Sequence, residues 1–269
     1  MSQLAYDETY SENAAENYER FFVPAIGAPV AQDLIEAAAL NPGEHVLDVG
    51  CGTGVVTRMA ADKVGRGGSV AGLDVNPSML AVARAATPKT AAINWYEASA
   101  EAIPLSDDSF DVVLCQMSLQ FIPSRLNALR EMRRVLRPGG RVVLNVPGPT
   151  PPLFEHFADA LTKHINPAAA PFVHAVFSLN DATEVRQLAS DAGFKRVDVT
   201  QAMKPLHLPS AKNFMWEYIH STPLAFAVAQ ATDEQRRELE REVCVRWEEF
   251  SSGSGLAIEV GMTTLIAKE

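Results

Sequence analysis

Hydrophobic residues change period repeatedly along this chain. Over 16–40 they recur at helical spacing, and Asn41-Pro42-Gly43 then stops the helix. Apolar runs of strand length next alternate with helical stretches at 45–49, 55–63, 69–75, 77–86, 93–98, 111–117, 123–136 and 141–146. Buried strands alternating with helices predict an α/β fold, a parallel sheet covered on both faces. Asn76-Pro77 is an N-cap followed by proline at the first helical position. The rhythm breaks at Pro147-Gly148-Pro149-Thr150-Pro151-Pro152. Beyond it, 181–192 reads as a helix ended by Gly193, 195–203 as a strand, and 205–232 as a proline- and aromatic-bearing stretch with a short helix. Thr232-Asp233-Glu234-Gln235 is a capping box for a helix that puts Leu239, Val243, Trp247 and Phe250 on one face. A flexible turn at 251–255 leads to a final alternating strand, 256–267.

The first strand runs into Val46-Leu47-Asp48-Val49-Gly50-Cys51-Gly52-Thr53-Gly54. Glycines at alternate positions allow the unusual φ/ψ of a tight strand-to-helix turn and keep side chains away from a ligand on the backbone. The exposed N–H groups and the positive end of the next helix suit a negatively charged group. Asp74 closes the second strand about twenty residues on, where a carboxylate can accept hydrogen bonds from two ribose hydroxyls. These features predict a nucleotide-like cofactor.

The spacing G-x-G-x-G, with Asp48 two residues before Gly50, resembles the class I S-adenosylmethionine (SAM) methyltransferases. Within them it is similar to the type 11 branch that includes quinone-biosynthesis C-methyltransferases. The resemblance continues through Gly72-Leu73-Asp74-Val75-Asn76-Pro77-Ser78-Met79-Leu80, Ala100-Glu101-Ala102-Ile103-Pro104-Leu105, Ser109-Phe110-Asp111 and Arg134-Val135-Leu136-Arg137-Pro138-Gly139-Gly140. It implies a doubly wound seven-stranded, mostly parallel Rossmann-like sheet, its last strand antiparallel, with ligands at the carboxyl ends of the strands. It also implies SAM as cofactor and S-adenosylhomocysteine as product. The cofactor-binding residues it implies are Tyr18, Asp48, Gly50, Cys51, Gly52, Gly54, Asp74, Val75, Met79, Ser99, Ala100, Glu101 and Gln116, with no metal.

Several of these have a plain structural alternative. Asp48 can support the methionine end of SAM or cap backbone N–H groups of the turn. Met79 can pack on adenine or in the core of its helix. Cys51 reads as a small buried filler, because methyl transfer needs no covalent enzyme intermediate. Ser99 stands where the family commonly has an aspartate bonding the adenine amino group. Gln116 closes the fourth strand, where family members contact the methionine portion, and Tyr18 has a family role near the SAM carboxylate. No catalytic base is assigned: His45 is structural, and His156, His164 and His174 lie in the proline-led insertion.

The expected organisation is a helical cap (1–40), a SAM-binding core (41–148), a helical lid insertion (149–180), a return helix and strand (181–203), a second cap (204–255) and the last core strand (256–269). The lid is expected to be mobile, with Phe154, Phe157, Phe172 and Phe177 beneath it; most rings of the cap segments should form a small core.

Composition narrows the partners. A formal net charge of −10 on 269 residues disfavours nucleic acid. The polar, acidic start has no leader pattern, no apolar run approaches membrane-spanning length, and the widely spaced Cys51, Cys115 and Cys244 suit a reducing cytoplasm. Gln116-Met117-Ser118-Leu119 replaces the Asn/Asp-Pro-Pro-aromatic block of amino-methylating enzymes, and no Pro-Cys pair exists for cytosine chemistry. A small, partly apolar metabolite remains as methyl acceptor, reached by in-line displacement. The alternatives are a SAM-binding regulator or scaffold without transferase activity and, against the glycine spacing, a nicotinamide-dependent oxidoreductase.

Overall fold

In the computed structural model, which describes residues 13–88 and 91–269, the polar stretch 1–12 lies outside the described residues. Along the chain come α1 (Ala14–Asn17), a π-helix (Tyr18–Gly27), α2 (Ala28–Ala38), β1 (His45–Val49), α3 (Val55–Val64), β2 (Ser69–Asp74), α4 (Pro77–Ala86), β3 (Ile93–Glu97), β4 (Phe110–Gln116), α5 (Arg125–Arg134) and β5 (Leu136–Pro147). Then follow α6 (Pro152–His164), α7 (Ala170–Val176), α8 (Ala182–Asp191), β6 (Arg196–Leu208), α9 (Ala211–His220), α10 (Leu224–Ala229), α11 (Asp233–Arg246), β7 (Ser251–Ser252) and β8 (Gly255–Lys268). Pro24 stands inside the π-helix; its missing N–H and its ring break the usual i→i−4 ladder, which favours the wider turn.

The strands form one sheet in the order β3-β2-β1-β4-β5-β8-β6, with β7 pairing β8. Seven strands lie on the path; the two-residue β7 adds an eighth. β1, β2, β3, β4 and β5 pair in parallel, and β8 runs antiparallel to β5. The chain winds outward from β1 to β3, then returns to β4 on the other side of β1. That reversal opens a crevice at the carboxyl ends of β1 and β4, where open α/β sheets place ligands.

The chain folds as two compact units. Of the described residues, those within Val30–Gly148, Leu179–Ala202 and Met262–Glu269 make the sheet unit, and those within 13–29, Pro149–Ser178 and Met203–Gly261 the helical unit. In the sheet unit, alternate strand residues face opposite cores. Leu47, Val49, Leu73, Val113 and Leu144 pack with α5 and α8, through Leu129, Met132 and Val185. Val46, Val70, Val112, Leu114 and Val143 pack with α2 and α3, through Leu34, Ile35, Val56 and Ala60. Burying each such side chain stabilises by roughly 1.5–3 kcal/mol. The α2 part of the expected N-terminal cap is therefore core of the sheet. The helix Ala14–Ala38 is long and apolar enough to cross a membrane, contrary to the expectation, but its α2 half is packed here because its apolar stripe faces strands.

At the amino end of the sheet the family-like motifs tie structure rather than ligand. Arg137 pairs with both oxygens of Asp111 at 3.0 and 2.9 Å, and the His45 N–H donates to Asp111 at 2.7 Å. Arg134 clamps Glu131 and Asp107, and Arg141 pairs with Glu44 while donating to the Ala38 carbonyl. His45 Nδ1 meets Ser69 Oγ at 2.7 Å, a structural role as expected.

The helical unit has its own aromatic core. Phe154 lies 5.3 Å from Phe177 and 5.4 Å from Tyr218; Phe157 and Phe214 pack on both Tyr218 and Trp247. The Trp247 indole N–H donates to the Leu153 carbonyl at 3.0 Å. Between α6 and α11, Glu242 meets Lys163 at 2.6 Å and His164 at 2.7 Å, and those two partners hold its carboxyl down at about 2. His156 faces Glu249 at 3.4 Å. Both histidines serve helix packing here, and Thr232 closes its capping box on α11 with Gln235.

Candidate functional site

The turn after β1 needs its three glycines for two different reasons. All have positive φ: +68° at Gly50, +53° at Gly52 and +85° at Gly54, the region L side chains rarely adopt. A Cβ on Gly50 would stand 1.9 Å from Ser118 Oγ, and one on Gly54 would meet the Trp95 ring at 2.5 Å. At Gly52 a Cβ would meet nothing within 4 Å. Gly50 and Gly54 are thus glycine for chain packing as well as conformation, whereas Gly52 leaves open space over its backbone.

Asp74 fixes that turn. Its Oδ2 accepts from the Gly52 N–H at 2.7 Å and its Oδ1 from the Asn76 N–H at 2.9 Å. Asn76 caps α4, accepting from Ser78 and Met79 N–H groups. Asp48 lies beside Gly72 on β2 and Leu114 on β4. It is 1% exposed. Its Oδ2 accepts from the Thr57 hydroxyl at 2.6 Å, and its Oδ1 has no hydrogen-bond partner among the described residues. Burial, opposed by the Thr57 bond and reinforced by the charge of Asp74, pushes the Asp48 carboxyl up to about 7.

The other expected residues divide by what they touch. Cys51 is buried, and burial with the charges of Asp74 and Asp48 pushes its thiol well above the usual range; it is a filler, not a nucleophile. Ser99 Oγ accepts from the Glu101 N–H at 3.1 Å, and the Ala98 N–H donates to the Asp74 carbonyl, so the 98–101 turn hangs from the end of β2. Ala100 is buried, Val75 is 48% exposed and Met79 is buried on α4. The Glu101 carboxylate accepts from the Ser124 N–H at 3.0 Å, tying this turn to the start of α5. Gln116 closes β4 opposite Asn145. Tyr18 belongs to the helical unit, stacked on Phe22 at 4.5 Å; the remaining expected residues all belong to the sheet unit.

Sequence reading missed Thr53, Thr57, Trp95, Ser118 and Gln120. Thr53 and Gln120 are buried, each with a side-chain oxygen lacking a partner among the described residues. Thr57 had a legible signal, a hydroxyl on the first turn of the helix that follows Asp48. Trp95, Ser118 and Gln120 come close only through the fold.

This geometry fits SAM. A buried carboxylate oxygen left without a partner calls for a cation that donates hydrogen bonds, and the ammonium of the methionine portion is both. Asp74 at the neighbouring strand end presents a carboxylate suited to ribose hydroxyls, and Gly52 leaves open space over the turn.

Comparison with known proteins agrees. A family described as a methyltransferase domain matches residues 47–144. The ubiquinone/menaquinone biosynthesis C-methyltransferase UbiE of Ectopseudomonas mendocina (strain ymp) is 36% identical over 196 residues, covering 64% of this chain and 75% of that protein. The demethylmenaquinone methyltransferase of Staphylococcus epidermidis (strain RP62A) is 33% identical over 189 residues, covering 65% and 78%. Among solved structures, Haemonchus contortus phosphoethanolamine N-methyltransferase 2 in complex with SAM has a TM-score of 0.62 at 20% identity, covering 97% of this chain and 58% of that one. With the glycine turn, the aspartate closing β2 and these matches together, the chain belongs to the class I SAM-dependent methyltransferases of the type 11 branch.

Proposed function

We propose that this methyltransferase acts on a small, partly apolar metabolite with a quinone-type ring, methylating it by in-line displacement. The observation that carries the acceptor class is the 36% and 33% identity to proteins named for ubiquinone/menaquinone biosynthesis and demethylmenaquinone methylation. The acidic net charge of −10 supports a small molecule over nucleic acid. Free Cys51, Cys115 and Cys244 support a cytoplasmic setting.

Within this reading, Asp74 takes the ribose hydroxyls and Asp48 Oδ1 the methionine ammonium. The turn at Gly50, Gly52 and Gly54 gives the backbone surface for the ligand, and Ser99 with Ala100 borders the adenine. Bound SAM supplies a strongly electrophilic methyl group with a neutral thioether as leaving group. The chain's part is chiefly alignment, which can supply several kcal/mol of a barrier (roughly 7 or more in well-oriented systems). The buried Asp48 holds its position through Thr57, so orientation is fixed before the ligand arrives.

The test is an incubation of the protein with methyl-labelled SAM and 1,4-naphthalenediol, a soluble hydroquinone with unsubstituted ring carbons. Label should appear on a ring carbon of the product. SAM binding without any transfer to this or related hydroquinones would remove the quinone-type acceptor while leaving the cofactor site standing.

A further inference from the structure

Buried side-chain oxygens without a partner gather where β1 and β4 end. Asp48 Oδ1, Thr53 Oγ1 and Gln120 Oε1 all lack a hydrogen bond among the described residues. An unmade bond on a buried polar group costs about 1–3 kcal/mol, so its retention points to a ligand that makes it. Gln120 is 6% exposed. Its side chain is held by the bond its Nε2 donates to the Met117 carbonyl at 3.0 Å, and its backbone carbonyl accepts from Arg125 at 3.3 Å. With the amide nitrogen committed to Met117, the amide oxygen faces away from that bond.

The fold brings this turn to Asp48. β1 and β4 are parallel neighbours, with Asp48 beside Leu114. Burial, the Asp48 charge and the N–H groups of Leu119 and Ser118 all act on the thiol of the next residue, Cys115, so Asp48 and the turn after β4 share it as a neighbour. Ser118 Oγ in turn packs where a Gly50 side chain would stand. Met117, held at φ +45°, is tied through its N–H to Asn145 on β5 at 2.9 Å, which sets the turn's path over the end of β1. The carboxylate and the amide oxygen are both acceptors, so the ligand between them must bring donors. An ammonium brings three, and a neutral amide beside Asp48 avoids adding a further carboxylate near Asp48 and Asp74.

We propose that Gln120 is a further SAM-binding residue, its amide oxygen and Asp48 Oδ1 each accepting a hydrogen bond from the ammonium of the methionine portion. This rests on the placement of SAM at the glycine turn argued above.

The test compares S-adenosylhomocysteine with methylthioadenosine, which shares the adenosine and sulfur but has no ammonium, by calorimetry on the full chain. Gln120→Met, close in volume and lacking the acceptor, should weaken S-adenosylhomocysteine about tenfold, the value of one hydrogen bond of this kind. Methylthioadenosine should stay within about twofold by the same reasoning. Gln120→Glu, which keeps an acceptor oxygen at the same reach, should preserve or raise the wild-type ratio of the two affinities. Equal weakening of both ligands in Gln120→Met would mean a structural role and overturn the proposal. So would an unchanged affinity for S-adenosylhomocysteine, or a ratio that collapses in Gln120→Glu as in Gln120→Met. Should Gln120→Met not fold, Gln120→Leu, which also lacks the acceptor, takes its place under the same expectations. Wild-type protein that binds neither ligand would instead defeat the SAM placement itself, a separate outcome.

Discussion

The ion pairs between helices of the helical unit and the buried oxygens at the carboxyl ends of β1 and β4 differ in how they are answered. In the helical unit, charged and polar side chains between helices answer one another: Glu242 with Lys163 and His164, Asp159 with Arg246, Glu240 with Lys212 and Trp216. In the sheet unit, the amino-end ion pairs are equally closed, yet at the carboxyl ends of β1 and β4 buried oxygens of Asp48, Thr53 and Gln120 stand without partners. A closed network contributes order to its own surroundings, whereas a buried acceptor left open costs stability until something fills it. The open oxygens of Asp48, Thr53 and Gln120 all lie in or just after β1 and β4.

The strongest challenge to this contrast is Asp74→Ala. Two hydrogen bonds to a charged acceptor contribute roughly 1.5–3 kcal/mol each, so SAM affinity should fall at least about a hundredfold. Because Asp74 also holds the Gly52 and Asn76 N–H groups, Asp74→Asn is the companion variant, removing the charge while its amide oxygen can still accept one of those two bonds; calorimetry that finds either variant within twofold of wild type would end the ribose assignment. Next in size is Phe157→Ala in the helical unit. It should lower stability by about 3–5 kcal/mol in urea unfolding, with S-adenosylhomocysteine affinity of the folded protein unchanged; a matching loss of affinity would blur scaffold and site. The glycine turn sharpens the comparison further. Gly54→Ala drives a Cβ into Trp95 and should act on stability, by roughly 1–3 kcal/mol. Gly52→Ala, with open space around it, should cost only about 1 kcal/mol of backbone strain yet reduce SAM affinity about tenfold or more. Equal stability losses in the pair would show that the space at Gly52 is not kept for a ligand. Smallest is Ser99→Ala, which removes the bond to the Glu101 N–H and should weaken SAM by about threefold to tenfold, while Ser99→Asp preserves or strengthens binding; identical affinities in all three proteins would take Ser99 out of the site.

Much of the sheet unit was readable from periodicity, because its strands are buried on both faces and its helices carry one apolar stripe. The glycine spacing and the Asp74 position were likewise readable, since each is imposed by local backbone geometry. What stayed hidden depends on residues far apart in sequence. Trp95 dictates glycine at 54 and 72, and Ser118 dictates glycine at 50; no local pattern around Trp95 or Ser118 announces it. Gln120 reads as an ordinary polar residue until the fold buries it. Sequence also drew the first cap segment as one helix over 16–40, whereas Pro24 introduces a π-helical stretch and the α2 half joins the sheet core. Proline at 205 did not end the β6 strand, which continues to Leu208.

The central claim is that Asp48 is kept buried, with one oxygen open, to receive the cation of SAM. Its carboxyl, raised from 3.8 to about 7, is protonated in the free protein below that pH and must give up its proton to hold an ammonium. S-adenosylhomocysteine affinity measured by calorimetry between about pH 5.5 and 8.5 should therefore rise roughly tenfold per unit up to about 7 and then level off. In Asp48→Asn, the affinity should be lower at the upper end and the slope should vanish. A wild-type profile that is flat across this range, or a slope that survives in Asp48→Asn, would contradict the account.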